Sequence, residues 1–322
     1  MSAIRVGVVG VGHLGSAHAR NYNEIPGVEL VGIHDSILSR ARKRARECDC
    51  KCFHNLVDLL NEVQAVSIVV PTEYHYDICM KSLENGIHVL VEKPITRNLE
   101  EADELIRIAA RKGLILQVGH IERFNPVVER GNKVVENPLF IECHRLSPFR
   151  PRGTDVDVIL DLMIHDIDLA LKFVDSEVDT IDAVGIPVIT DKIDIANARI
   201  SFRNHAVANI TASRISKEVV RKMRIFQRDA YISMDFHKKA LEIIRLNTEP
   251  GHDWSSTAGT DGFFVSDRSM LSGEEPLRRE LSSFVESVRT GKNPVASGKD
   301  GRNALHVAVR ILDEIKGTPI RM

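Results

Sequence analysis

From residue 4 to about residue 118, short apolar runs rich in Val and Ile alternate with stretches whose apolar positions recur every three or four residues. The runs at 4–9, 28–34, 65–70, 87–91 and 114–118 predict strands, and helices are expected after Gly12, near Ile37, near Leu56, near Tyr74 and at Asn98. Asn98 with Glu101 three residues on forms the capping pattern of a helix start. Strand and helix in strict alternation mean a parallel sheet wound on both faces. After Gly119 the rhythm changes to a helix at 125–135, a strand at 139–146 and a helix at 159–174. Strands then follow one another at 180–189, 195–202, 206–213, 220–227, 230–234 and 240–246, joined by turns such as Phe202-Arg203-Asn204-His205. Short connections between consecutive strands predict an antiparallel sheet. Residues 247–276, rich in Gly, Ser and Thr, are expected to be irregular, and helices at 276–290 and 302–316 finish the chain.

The first strand runs directly into Gly10-Val11-Gly12-His13-Leu14-Gly15, and Asp35 ends the second strand twenty residues later. That spacing reads as a dinucleotide-binding turn: Gly10 turns the chain off the strand, Gly12 admits a pyrophosphate, and Gly15 lets the next helix pack on the sheet. The helix start directs free N–H groups at the phosphates. A carboxylate at Asp35 suits the adenosine ribose hydroxyls and repels a 2′-phosphate, which favours NAD over NADP. Arg40 is the opposing signal, since a guanidinium could stack on adenine or hold a 2′-phosphate. The expected fold is α/β: an N-terminal Rossmann doubly wound parallel sheet over 1–119, then a C-terminal α+β domain over 120–322 with a large, mostly antiparallel sheet.

Composition narrows the partners. With 322 residues and 43% hydrophobic content the chain can bury two cores. A formal charge of −2 and 5% aromatics do not suggest a nucleic-acid binder. The one basic helix, with Arg40, Arg42, Lys43, Arg44 and Arg46, reads as a solvated face apart from Arg40. No apolar run approaches the roughly 20 residues of a membrane span, and the N-terminus enters a strand, so a cytoplasmic location is expected. Cys48, Cys50 and Cys52 invite a metal reading, but no second Cys/His pair of zinc spacing accompanies them, so reduced thiols and no metal are expected.

Three places carry candidate chemistry. Glu92-Lys93-Pro94 ends a parallel strand at the edge where such sheets bind ligands, so Lys93 can project toward a nicotinamide, and Pro94 can fix the turn through a cis bond. Asp161 and His165 stand four apart on a predicted helix, with Asp168 three further and Asp166 off that face. A carboxylate one turn from an imidazole can orient it, although a surface pair has the same spacing. Pro71, Thr72 and His75 open a helix at another strand end, where Thr72 and His75 either line the cofactor or cap the helix.

These segments together resemble the Gfo/Idh/MocA (glucose–fructose oxidoreductase and inositol dehydrogenase) family over essentially the whole chain. The resemblance implies a two-domain oxidoreductase that works on sugar-type hydroxyls with a nicotinamide cofactor, as a homodimer or homotetramer joined through the open face of the second sheet. It assigns Lys93, Asp161 and His165 to the catalytic set, and Thr72 stands where many relatives carry Asn. It implies cofactor contacts from Gly10, Gly12, His13, Leu14, Gly15, Asp35, Arg40, Pro71, Thr72, His75, Glu92 and Lys93. Residues 119–126, 152–157 and 161–166 look most like the branch that oxidises the 3-hydroxyl of UDP-N-acetylglucosamine. On that reading Arg123 and Arg152, with Arg145 and Arg150 as further candidates, would hold the diphosphate, beside Lys93, Asp161 and His165 on the sugar. A free sugar, inositol or other cyclitol as substrate is the alternative, and a non-catalytic NAD-binding sensor is the alternative of another class.

Overall fold

A computed structural model describes residues 3–149, 156–246 and 264–317. The chain divides into two units, residues 1–124 with 274–305, and residues 125–273 with 306–322.

In the first unit β1 (Ile4–Val9), β2 (Val28–His34), β3 (Lys51–Phe53), β4 (Ala65–Ile68), β5 (His88–Glu92) and β6 (Leu116–Gly119) form one sheet in the order β3-β2-β1-β4-β5-β6, with every pairing parallel. Helices α1 (His13–Glu24), α2 (Leu38–Glu47), α3 (Leu56–Leu60), α4 (His75–Glu84) and α5 (Leu99–Lys112) connect them. The apolar runs have the residues that a sheet covered on both faces needs, and Val6, Val8, Ala65, Val66, Ile68, Val89, Leu90 and Val91 are all fully buried. β3 is too short to register as a run in the sequence. The strand order reverses between β1 and β4, and such a reversal opens a crevice at the carboxyl ends of the strands. At the start of α5 the Asn98 side chain accepts from Glu101 N at 2.9 Å, but the Glu101 carboxylate turns back to Arg97 N rather than to Asn98.

The second unit begins with α6 (Pro126–Gly131) and β7 (Phe140–Leu146). A π-helical turn, Ile159–Met163, leads into α7 (Ile164–Val174). Then come β8 (Val178–Ile186), β9 (Ile195–Phe202), β10 (Val207–Ser213), β11 (Val220–Phe226), β12 (Ala230–Asp235), β13 (Ala240–Leu246) and β14 (Phe264–Met270). The sheet order is β14-β13-β12-β11-β7-β10-β9-β8, antiparallel except where β7 meets β10. Alternation sets the two faces. In β7, Ile141, Cys143 and Arg145 point inward, and Ala208, Ile210 and Ala212 line the same side from β10. α7 packs on β7 and β10, and α6 packs on β12 and β13.

Two expectations need correction. Residues 264–270, expected to be irregular, form β14, because their polar side chains lie along an edge strand that offers no apolar run to read; the rest of that segment up to residue 263 lies outside the described residues. The chain closes with α8 (Pro276–Thr290) and α9 (Gly298–Gly317). Residues 274–305, expected in the second domain, belong to the first unit. The cause is α8, whose Leu277, Leu281, Phe284 and Val285 bury in one cluster with Ala19 and Tyr22 of α1. Burying side chains of this size stabilises by about 1.5–3 kcal/mol each.

Candidate active site

The glycine turn is fixed by sterics. Gly10 has φ of +83°, and a Cβ there would lie 2.4 Å from Val69 O. A Cβ on Gly15 would lie 1.9 Å from Gly10 O, so the turn closes only with glycine at both positions. Gly12 differs: a Cβ on it would meet nothing nearer than Arg40 Nη1 at 4.0 Å. No side chain caps the start of α1, so its first amides are open to an acceptor. An open cradle in front of uncapped helix amides fits a pyrophosphate. His13 and Leu14 are exposed beside it.

Asp35 follows β2 and is 7% exposed. Its carboxylate accepts from Val11 N and from Ile37 N, both at 2.8 Å, which ties the glycine turn to the end of β2. Arg40 Nη1 stands 3.5 Å from the same carboxylate. The guanidinium thus already faces an anion, and the residues in the ribose position fit NAD.

At the end of β5 the Lys93–Pro94 bond is cis, as the sequence suggested. Glu92 accepts a hydrogen bond from His18 Nε2 of α1 at 3.2 Å, and Lys93 is half-buried next to it. Pro71 is exposed and Thr72 half-buried in a short turn that leads into α4. His75 needs correction. It is 1% exposed, with Nδ1 2.9 Å from Pro94 O and Nε2 2.9 Å from Val70 O. It does not cap α4, but ties the loop after β4 to the turn after β5. A neutral imidazole has one N–H to give to these two carbonyls. Burial pushes its pKa down, against the pull of both carbonyls and of Glu92.

In the second unit Asp161 lies within the π turn and His165 two residues past it, and both are half-buried. Ile164 N donates to Ile159 O, an i→i−5 bond that makes this turn wider than an α-helical one, so the pair is not an ideal i,i+4 stack on a continuous helix. Single π turns are frequent at functional sites. Their support comes from strand ends: Asp157 accepts from Ile193 N at 2.9 Å, and Arg214 donates to Val156 O. Asp166 lies off their face, as expected, and is buried against Arg145, with Nε–Oδ2 at 2.8 Å and Nη2–Oδ1 at 2.9 Å. Asp168 is also buried.

The arginines expected on a diphosphate fare differently. Arg145 gives its fork to Asp166 and stacks over Phe236, 5.8 Å from the ring centre, so it anchors α7 to β7. Arg123 is buried within the first unit, donating to Val295 O at 2.7 Å and to Asp300 at 3.2 Å. Its donors hold the chain before and at the start of α9, which replaces the expected phosphate role. Arg150 and Arg152 lie outside the described residues. Sequence reasoning missed two pairs, His18–Glu92 and Arg145–Asp166. The second had a signal: Arg145 continues the inward alternation of Ile141 and Cys143.

Among known proteins, residues 4–120 match the Gfo/Idh/MocA oxidoreductase family with its NAD-binding Rossmann fold, and residues 139–233 match the C-terminal domain of that family. The chain is 38% identical, over 97% of its length and 97% of the relative's, to UDP-N-acetylglucosamine 3-dehydrogenase of Acidithiobacillus ferrooxidans. This chain belongs to the Gfo/Idh/MocA family. The solved structure of that A. ferrooxidans enzyme superposes with a TM-score of 0.90 at 37% identity, covering 98% of this chain and 99% of that one. At 26% identity, over 99% of this chain and 96% of the relative, lies scyllo-inositol 2-dehydrogenase (NAD(+)) of Bacillus subtilis. Gfo/Idh/MocA membership makes the chain an NAD-dependent oxidoreductase, in line with the Gly12 cradle and the Asp35 carboxylate. Among the described residues no helix is long and apolar enough to cross a membrane.

Proposed function

We propose that this protein oxidises the 3-hydroxyl of UDP-N-acetylglucosamine to the 3-keto sugar with NAD. The observation that carries this reading is 38% identity along nearly the whole of both chains to an enzyme named for that reaction, against 26% for the scyllo-inositol enzyme. NAD, when bound, supplies the hydride acceptor. His165 takes the hydroxyl proton as general base, a role suited to an imidazole because it titrates near neutrality. Asp161 orients His165, and Lys93 stabilises the developing alkoxide as a cation and shares the proton transfer. Arg152 remains the candidate for the diphosphate. A homodimer or homotetramer joined through the open face of the eight-stranded sheet and a cytoplasmic location complete the proposal. Val184 and Ile186 are exposed on β8, which is consistent with a covered face in an oligomer.

The test is nicotinamide reduction on adding UDP-N-acetylglucosamine to purified protein with NAD, with 2-oxoglutarate in a parallel sample to reoxidise cofactor that does not leave. NADH formation with the nucleotide sugar and none with free N-acetylglucosamine is the expected outcome. Turnover of inositol or a free sugar instead would move the substrate assignment to the other members of the family. NAD binding without turnover of any of these would favour a sensor.

A further inference from the structure

The entrance to the π turn is fastened to the second sheet at three consecutive residues. Arg214, buried just after β10, donates to the carbonyl of Val156. The Asp157 carboxylate accepts from Ile193 N at 2.9 Å, and Val158 N donates to Ile193 O at 2.9 Å. Ile193 stands at the end of the connection between β8 and β9, and that connection is folded around Asp194. The buried Asp194 carboxylate accepts from the amides of Val188, Ile189 and Thr190 at 2.8, 2.7 and 2.8 Å. Arg214 closes the group: its backbone N–H donates to Asp194 O at 2.9 Å, and its guanidinium lies 3.6 Å from the Asp194 carboxylate. Buried polar groups that are paired in this way hold a single arrangement.

Asp157 is the joint between this platform and Asp161. Its carbonyl accepts from Leu160 N and from Asp161 N, both at 3.1 Å, while its side chain reaches out of the turn to Ile193. One residue thus carries a bond to the sheet connection and a bond to the backbone of Asp161. The bonds of Val156 to Arg214 and of Val158 to Ile193 would outlast removal of the Asp157 carboxylate, so its loss loosens the turn without detaching it.

We propose that Asp157 is a positioning residue for the sugar oxidation: its bond to Ile193 sets where the backbone of Asp161 stands, and with it the carboxylate that orients His165. The proposal deepens the reading of Asp161 as the partner of His165 and rests on it. A displacement of about 1 Å at a reacting group costs up to about 10²-fold in rate, so one lost fastening is visible in turnover.

The experiment is a double-mutant cycle on the full chain with NAD, read by kcat and by amide hydrogen exchange over residues 158–163. Asp157→Ala is expected to lower kcat about tenfold, with KM for the sugar and NAD affinity changing by less than about twofold. Exchange at Leu160 and Asp161 rises in the same variant. Asp157→Asn, whose amide oxygen still accepts from Ile193 N, restores most of the turnover and the protection. In an Asp161→Ala background, Asp157→Ala costs less than about twofold more, because a residue that acts through Asp161 has nothing left to act on. A further tenfold loss in that background overturns the proposal, since Asp157 would then act by another route. Equal losses in Asp157→Asn and Asp157→Ala overturn it as well, because the charge rather than the bond to Ile193 would matter. If Asp157→Ala does not fold, Asp157→Ser, whose hydroxyl stops short of Ile193 N, takes its place in both measurements. Wild-type turnover in Asp161→Ala overturns the reading on which the proposal rests, whereas unchanged exchange and turnover in Asp157→Ala, with Asp161→Ala impaired, overturns the proposal alone.

Discussion

The two units hold their site residues by different means. In the first, the glycine turn is dictated by backbone contact: Gly10 and Gly15 leave no room for a Cβ, and the geometry follows from a spacing within six residues. In the second, Asp161 and His165 sit at a π turn whose position depends on partners far along the chain, Ile193 and Arg214 at its entrance and Arg145 beneath Asp166. A local steric rule needs only local sequence, whereas a site held by long-range polar contacts needs the whole fold.

The comparison can be broken at its strongest points first. Gly15→Ala places a Cβ 1.9 Å from the Gly10 carbonyl oxygen, so the turn must open. Loss of detectable NAD binding by calorimetry is expected, with at least about 3 kcal/mol of unfolding free energy in urea. Gly12→Ala has space, so its melting temperature should stay near wild type while NAD affinity falls at least about tenfold from crowding of the cradle. Equal loss of stability in the two variants would show that the turn is not fixed by the contact between Gly15 and Gly10. In the second unit Asp166→Ala leaves the Arg145 guanidinium buried without its bidentate carboxylate, at a cost of about 3–5 kcal/mol by chemical denaturation. A loss under 1 kcal/mol would mean that α7 does not depend on this pair. His165→Ala should lower kcat by about 10²–10⁴-fold with NAD affinity and melting temperature kept, because the ring is half-buried and not a core member. Unchanged turnover would remove it from the mechanism.

How much of this could be read from the chain follows the same division. The parallel sheet, α1, α5 and α8 are visible because an apolar period or a cap marks each of them locally, and the first five runs agree with the observed strands to within two residues. β3 escaped because three residues carry no period, and β14 because its polar residues gain their place only by pairing with β13. In the site, Gly10, Gly12, Gly15 and Asp35 fall where their spacing placed them. His75 did not, because nothing near it in sequence shows that Pro94 O lies 2.9 Å from its ring. Arg123 and Arg145 were misread for a related reason: a surface phosphate ligand and a buried strut have the same side chain, and only Asp300 and Asp166 distinguish them.

Two side chains that accept from backbone amides, one a carboxylate and one a neutral amide, sharpen the comparison further. Asp194, fully buried between β8 and β9, accepts from the amides of Val188, Ile189 and Thr190 and from the Thr190 hydroxyl. Burial opposes its ionisation, but those donors prevail and pull its carboxyl down to about 2. A folded pKa below the ordinary value means that its stabilisation is complete above that ordinary value and is lost as pH falls toward about 2. The stability gap between wild type and Asp194→Asn should accordingly be constant near neutrality and narrow through this acid window, as measured by urea unfolding at successive pH values. Asn98, the cap of α5, accepts from Glu101 N through an amide that does not titrate. Asn98→Ala should cost only about 1 kcal/mol, and a gap that narrowed with acid as steeply as that of Asp194 would mean that the Glu101 carboxylate, not the Asn98 amide, carries the helix start.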